Sequence, residues 1–287
     1  MTRVAVVVPC FNDGETLPQT LASLEGQEPH ELVVVDDGSD DARTLSVLGR
    51  LADEGIRVVR RENGGLSAAR TTGVEETEAP YVMPLDADDE LLPGALAVLA
   101  DALDAAPQSG LAWGDIEVWG DVEARLEVAP SLDPWLLTYV NTVPVASMIR
   151  RSALIEVGGW RMGSGYEDWD LWLALAERGF TGVRVPAPTF RYRRRPGRML
   201  DDCTPRHAEL YAQLRSRHSP LFERRRQTRR SSTAPRRAKL LFPLVDAAPF
   251  DPFTRHRLFL LVNRPRQILD LRRRRRIARR SAAVASG

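Results

Sequence analysis

The first hundred residues repeat one pattern: a short apolar run, a polar break, then apolar residues spaced three or four apart. Val4-Ala5-Val6-Val7-Val8, Leu32-Val33-Val34-Val35 and Tyr81-Val82-Met83-Pro84-Leu85 are the clearest runs. Each is too short for a helix and is bounded by turn residues, which predicts a buried strand. Strands are expected near 3–8, 32–36, 56–60 and 80–85, and helices near 15–26, 40–54, 66–77 and 93–105. Such alternation predicts an α/β fold: a mostly parallel, Rossmann-like sheet flanked by helices. Ligands of such sheets bind beyond the carboxyl ends of the strands.

The alternation weakens after Pro107. Leu111 to Trp119 predicts a strand that breaks near Gly120, Trp135 to Val140 a helix, and Val145 to Ile149 a short strand. Trp169, Trp172, Leu173 and Ala176 follow helical spacing, so a helix is expected from about Glu167 to Arg178, stopped by Gly179. The sequence then turns basic, and no internal repeat is evident.

The net charge of +1 conceals a split. Residues 191–287 carry 27 Lys/Arg and 7 Asp/Glu, a balance of +20, leaving 13 and 32, or −19, for residues 1–190. This predicts two functional regions and an anionic partner for the second. No run of about 18 apolar residues could span a membrane. The first strand is expected to start at once, so no signal peptide is expected before it. Cys10 and Cys203 form neither a metal spacing nor a disulfide framework, so a reducing cytoplasm is expected and Cys10 reads as a small buried hydrophobe.

Chemistry gathers at the predicted strand ends. Asp86-Ala87-Asp88-Asp89 places three carboxylates in four residues, and Asp36-Asp37-Gly38-Ser39 closes an earlier strand. Clustered carboxylates repel unless something positive sits among them. A hard divalent cation bridging to a phosphate meets that need. One aspartate could instead cap a helix, and Asp36-Asp37 alone could be a solvated turn. The Glu167-Asp168 pair in a first helical turn, read alone, favours the helix dipole.

Six motifs occur in order: Val7-Val8-Pro9-Cys10-Phe11-Asn12-Asp13, Val33-Val34-Val35-Asp36-Asp37-Gly38-Ser39, Asn63-Gly64-Gly65-Leu66-Ser67-Ala68-Ala69-Arg70, Leu85-Asp86-Ala87-Asp88-Asp89, Gly158-Gly159-Trp160 and Tyr166-Glu167-Asp168-Trp169-Asp170-Leu171-Trp172. Over roughly residues 3–199 the chain resembles a family 2 glycosyltransferase of GT-A fold. The resemblance implies a nucleotide-sugar donor, foremost a UDP-sugar, a divalent cation (Mn²⁺ or Mg²⁺), and inversion at the anomeric carbon. By match to the motifs, Pro9, Phe11 and Asn12 would line the nucleoside pocket, Asp37 would bond the base and Asp86 would lie near the ribose. Asp88 would bind the metal, and Asp168 would be the catalytic base. Arg70 is read as facing either phosphate or solvent. Glu167 is an orienting or capping residue, and Trp160, after its Gly-Gly turn, is an acceptor contact.

The sequence departs from the family pattern at Thr71, where Asn often follows Ala-Arg, and at Arg195, where many members have His near the phosphates. Arginine cannot ligate a metal but clamps phosphate. The Gln-x-x-Arg-Trp motif of processive members is absent, which points to a non-processive enzyme. The expected domains are 1–199, with a nucleotide-binding half 1–105 and an acceptor-binding half 106–199, and a basic helical extension 200–287.

The acceptor would be a growing glycan, a lipid-linked sugar or a small glycosylated metabolite, with Asn141 and Thr142 as loop contacts. His207 and His218 lack partner spacing and read as solvated. The extension lacks a nucleic-acid module, which leaves two readings. One is a soluble helical extension; the other is an anionic membrane surface met by Lys239 to Val245 and Leu258 to Val262 at the inner face. Rival functions are an inactive nucleotide-sugar-binding scaffold and a sugar-nucleotide pyrophosphorylase, whose glycine-rich phosphate loop is missing. No G-x-G-x-x-G follows the first strand, so a nicotinamide enzyme is excluded.

Overall fold

The computed structural model describes residues 2–120, 123–163, 165–194 and 205–270. Four parallel strands, β1 (Val4–Cys10), β2 (His30–Asp36), β3 (Val58–Arg60) and β4 (Tyr81–Pro84), lie in the order β3-β2-β1-β4. Every residue of β1 is buried, as expected of a strand covered on both faces. Helices α1 (Leu17–Ala22), α2 (Ala42–Asp53) and α3 (Leu66–Glu75) make the crossovers. Helix α3 packs directly on β1: a Cβ at Gly73 would lie 2.2 Å from Val7 Cγ1. Only glycine allows so close a helix–strand approach.

The sheet then becomes mixed. After β5 (Glu90–Leu91) and α4 (Ala95–Asp104) come β6 (Ser109–Gly120), β7 (Ala124–Leu126), α5 (Pro134–Leu137), β8 (Met148–Arg150), α6 (Arg151–Glu156), α7 (Glu167–Glu177) and β9 (Thr181–Arg194). The order continues β4-β8-β6-β9-β5, with β7 on β6. β8 is antiparallel to both β4 and β6, whereas β6 and β9 run parallel through several register shifts. The expected strands and helices are present, generally trimmed at their ends. β9 is the large element that the apolar pattern does not announce.

Beyond residue 204 the chain is helical: α8 (His207–Arg217), α9 (Ser219–Glu223), α10 (Arg225–Ser231), α11 (Arg236–Ala247) and α12 (Pro252–Asn263). These helices share a core with the segment around α5. Phe242 stacks on Trp135 at 5.6 Å, and Phe259 meets Tyr139 at 5.0 Å and Phe242 at 4.7 Å. Arg225 pairs with Asp246 at 2.8 Å and lies 4.0 Å over the Tyr139 ring. The expected boundary near residue 199, together with Arg195, Cys203 and Arg272 to Arg276, lies outside the described residues.

Two sequence readings of the extension need correction. His218 is fully buried, with Nε2 2.9 Å from Asp170 Oδ1 and Nδ1 2.7 Å from Glu177 Oε2. Burial opposes its charge, but the bonds to Asp170 and Glu177 outweigh that and favour the imidazolium. His207, also buried, shares a 2.8 Å hydrogen bond with the Tyr166 hydroxyl, and burial pulls its pKa down to about 4. Neither histidine is solvated. In the apolar segment Leu258 to Val262, Phe259 is buried and the other four residues are half-buried.

Candidate active site

The carboxyl ends of β1, β2 and β4 form one rim. Asp37 N–H donates to the Cys10 carbonyl at 2.9 Å, and Asn12 N–H donates to Ser39 Oγ at 3.1 Å, which laces the first two ends together. Asn12 has φ +59° and its Oδ1 accepts from the N–H groups of Asp40 and Asp41. It acts as a clamp between loops. Pro9 is buried beneath this rim, and the Phe11 ring stands 46% exposed above it. A large exposed aromatic ring at a strand end is a ready platform for a planar base.

Asp37 is buried and organises the next loop. It accepts from Gly64 N–H at 3.1 Å, Gly65 N–H at 2.7 Å and Arg61 Nη1 at 3.1 Å. Gly65, at φ +84°, allows the turn into α3. The Asn63-Gly64-Gly65 glycines are therefore geometry, fixed by the carboxylate that the motif match places at the base.

The three carboxylates after β4 are divided among different tasks. Asp86 Oδ1 accepts from Arg70 Nη2 at 2.6 Å. Asp89 is buried and accepts from Arg193 N–H at 2.9 Å, while Arg193 Nε donates to the Asp88 carbonyl at 2.9 Å. The positive groups among these acids thus include two arginines of the chain itself. None of the three caps α4, whose N-cap is Gly94. Among the described residues, no group of three His, Cys, Asp or Glu side chains could hold a metal ion. A cation here would need ligands from a bound diphosphate. That suits Mg²⁺ or Mn²⁺, which take one or two carboxylates with substrate phosphates.

Arg70 is fully buried and joins the two sides of the cleft. Its second amine, Nη1, donates to Glu167 Oε1 at 3.0 Å. Neither the solvent nor the phosphate reading of Arg70 fits this burial. Trp160 lies beneath it, 5% exposed and 5.7 Å from the guanidinium. Trp160 is therefore core packing for Arg70 and not an acceptor contact.

Helix α7 begins at Glu167 with Tyr166 as N-cap, at φ +60° and without a side-chain cap. That strained entry turns Glu167 toward Arg70 and leaves Asp168 half-buried beside it. Asp168 Oδ2 accepts from Asn141 Nδ2 at 2.8 Å, and Oδ1 accepts from Trp169 N–H at 2.7 Å. Burial, and next the charge of Glu167, push its carboxyl up to about 7. A carboxyl poised there can take a proton from a hydroxyl and release it near neutral pH. Asn141 is the residue that spacing alone undervalues. As a loop amide it reads as a weak acceptor contact, but it sits on the carboxylate.

Residues 5–158 match the family described as "Glycosyl transferase family 2". The chain is 36% identical over 104 residues to poly(ribitol-phosphate) β-N-acetylglucosaminyltransferase TarP of Staphylococcus aureus, covering 33% of this chain and 31% of TarP. It is 38% identical over 104 residues to succinoglycan biosynthesis protein ExoU of Rhizobium meliloti, covering 34% and 30%. The chain thus spans about a third of either relative. It also matches an uncharacterized glycosyltransferase of Mycobacterium tuberculosis, 30% identical over 57% of this chain and 74% of that one. Among solved structures, S. aureus TarS in complex with UDP-GlcNAc superposes with a TM-score of 0.60 at 17% identity, covering 93% of this chain and 73% of that one. At that identity the likeness shows the fold alone, and the fold is the GT-A type.

Proposed function

Because the chain belongs to glycosyl transferase family 2, we propose that it transfers a sugar from a nucleoside diphosphate, a UDP-sugar foremost, to a hydroxyl of a glycan or lipid-linked acceptor, with inversion. The observation that carries this reading is the Arg70 bridge. One buried guanidinium holds Asp86 at 2.6 Å and Glu167 at 3.0 Å. It fixes the rim of the donor pocket relative to the neighbour of the base.

In the proposed reaction the acceptor O–H gives its proton to Asp168. Its oxygen attacks the anomeric carbon from the side opposite the diphosphate. The bond from that carbon to the phosphate oxygen breaks, and its electron pair leaves with the nucleoside diphosphate. Asn141 and the Trp169 N–H orient the carboxylate, and Glu167, held by Arg70, raises its basicity. Phe11 and Asp37 bound the base pocket, and Asp88 would hold the divalent cation. When bound, that cation neutralises charge on the leaving diphosphate.

Thermal-shift screening of UDP-, GDP- and dTDP-sugars with and without Mn²⁺ tests the donor. A ligand at one hundred times its Kd stabilises the native state by about 2.7 kcal/mol. A UDP-sugar is expected to raise the unfolding midpoint, more so with Mn²⁺. No shift with any nucleotide sugar would overturn the reading.

The basic extension is further proposed to seat the protein on an anionic membrane surface at the cytoplasmic face. Helix α11 buries Ala238 and Phe242 but turns Leu240 and Leu244, each 62% exposed, and Leu241, 37% exposed, outward. Phe250 and Phe253 are further exposed apolar residues of the extension, with Arg257 over the Phe253 ring. Each basic residue near an anionic surface contributes about 1 kcal/mol, screened by salt. Co-sedimentation with anionic vesicles is expected at low salt and release at high salt. Indifference to anionic vesicles, or equal binding to neutral ones, would remove this part of the reading. Among the described residues no helix is long and apolar enough to cross a membrane.

A further inference from the structure

The base sits in the first turn of a helix that the extension grips from outside. Tyr166, the N-cap of α7, has φ +60° and ψ +22°, a left-handed conformation rare for a bulky side chain. Ser, Thr, Asp, Asn or Gly would start the helix more favourably. The Tyr166 side chain makes no capping bond. Its hydroxyl reaches the extension instead and shares a 2.8 Å hydrogen bond with His207 Nδ1 of α8. The Tyr166 carbonyl accepts from Asp170 N–H at 2.9 Å, so this one residue sets the start of the helix that carries Asp168.

A cage of rings continues from that bond. The ring centre of His207 lies 4.3 Å from that of His256 on α12 and 5.6 Å from that of Tyr211. Trp169, the residue after the base, packs 5.3 Å from Tyr166 and 6.1 Å from His256. Burial pulls His207 down to about 4, and burial with the His207 charge pulls His256 down to about 3, so both rings are neutral near pH 7. His256 Nδ1 is buried with no hydrogen-bond partner among the described residues. A polar group buried without a partner destabilises a fold, whereas apolar rings of similar shape would fill the same space without that penalty. A strained turn and a costly polar cluster, placed together beside one carboxylate, mark a functional constraint.

We propose that His207, acting through the Tyr166 hydroxyl, is a positioning residue for the base, which makes the extension part of the catalytic apparatus. This rests on the reading of Asp168 as base. Held by that turn, Asp168 stays half-buried on Asn141. The charged groups that act on it there are Glu167, which raises its basicity, and Arg70, which lowers it. Without the Tyr166–His207 bond the turn relaxes. The carboxylate then moves toward water, loses the desolvation that makes it basic, and no longer faces the acceptor hydroxyl.

Two readouts on the full-length protein test this. Tyr166→Phe/His207→Phe removes both ends of the bond and keeps both rings, so it should be at least as stable as the parent. Its hydrolysis of nucleotide sugars, measured over UDP-, GDP- and dTDP-sugars, should fall by ~10-fold or more with donor Kd unchanged, since a small misplacement of a reacting group is enough for such a loss. Each single variant should lose as much as the pair, because either one breaks the same bond. His207→Asn keeps an amide that can donate or accept near the position of Nδ1, and should recover most of the rate. The second readout needs no substrate: titration of Asp168 by carboxyl-carbon NMR, with its resonance identified by its absence in Asp168→Asn. The midpoint, about 7 in the parent, should fall toward the ordinary 3.8 in the double variant and hold in His207→Asn. An unchanged midpoint in the double variant, or a loss of rate matched by an equal loss of donor affinity, overturns the proposal. A parent protein that binds no nucleotide sugar would instead sink the glycosyltransferase reading, and the midpoint would still decide whether the extension positions Asp168.

Discussion

Asp88→Asn is expected to keep its fold and lose donor turnover by ~10² or more, equivalent to about 2.7 kcal/mol of transition-state stabilisation. The substitution keeps the size of the side chain and removes its charge. Its neighbours cannot stand in: Asp86 is held by Arg70 at 2.6 Å, and Asp89 is buried against Arg193 N–H at 2.9 Å. Asp88 is partly exposed at the end of β4, and its carbonyl is pinned by Arg193. A binding measurement separates this role from general damage. Mn²⁺ should tighten UDP binding in the parent protein and not in Asp88→Asn, whereas UDP binding without Mn²⁺ should be similar in both. Full turnover in excess EDTA, or in the Asp88→Asn protein, would overturn the metal assignment.

The parallel half of the sheet was legible because burial on both faces forces continuous apolar runs, as in Val4–Cys10. Strand β9 was not, since Pro186 and Pro188 interrupt it and arginines alternate along its end. Partial exposure and register shifts against β6 accommodate both. Asp37, Asp86 and Asp88 were legible as strand-end acids, because the fold class alone brings strand ends together. What the sequence concealed were partnerships across long separations. Arg70 meets a residue 97 positions away, and His218 meets one 48 positions away. A lone basic residue in sequence carries no sign of the buried carboxylate that awaits it. Trp160 misled for the same reason: a tryptophan after a glycine turn reads as a surface platform until Arg70 is seen to cover it.

For Asp168→Asn, loss of transfer is expected without loss of donor binding. Proton removal is not needed to bind a nucleotide sugar, so the donor Kd should hold while transfer falls by ~10²–10⁴, the range of general-base contributions. Asn retains one acceptor oxygen, for the Trp169 N–H, so the helix start should remain in place; its amide nitrogen then faces Asn141, whose own amide must turn its oxygen to accept. The pH profile gives a second readout. The base works only when ionised, and its carboxyl is pushed up to about 7 by burial and then by Glu167. The transfer rate of the parent protein should therefore rise with pH through about 7 and level above it. The stability effect has the opposite sense. A folded pKa raised from the ordinary 3.8 contributes stability that is fully present below that value and lost as pH rises toward 7. Asp168→Asn removes this loss and should be at least as stable as the parent at pH 8. Parallel losses of donor affinity and rate, or a variant that is less stable at pH 8, would recast Asp168 as a structural residue of the helix start and leave the site without its base.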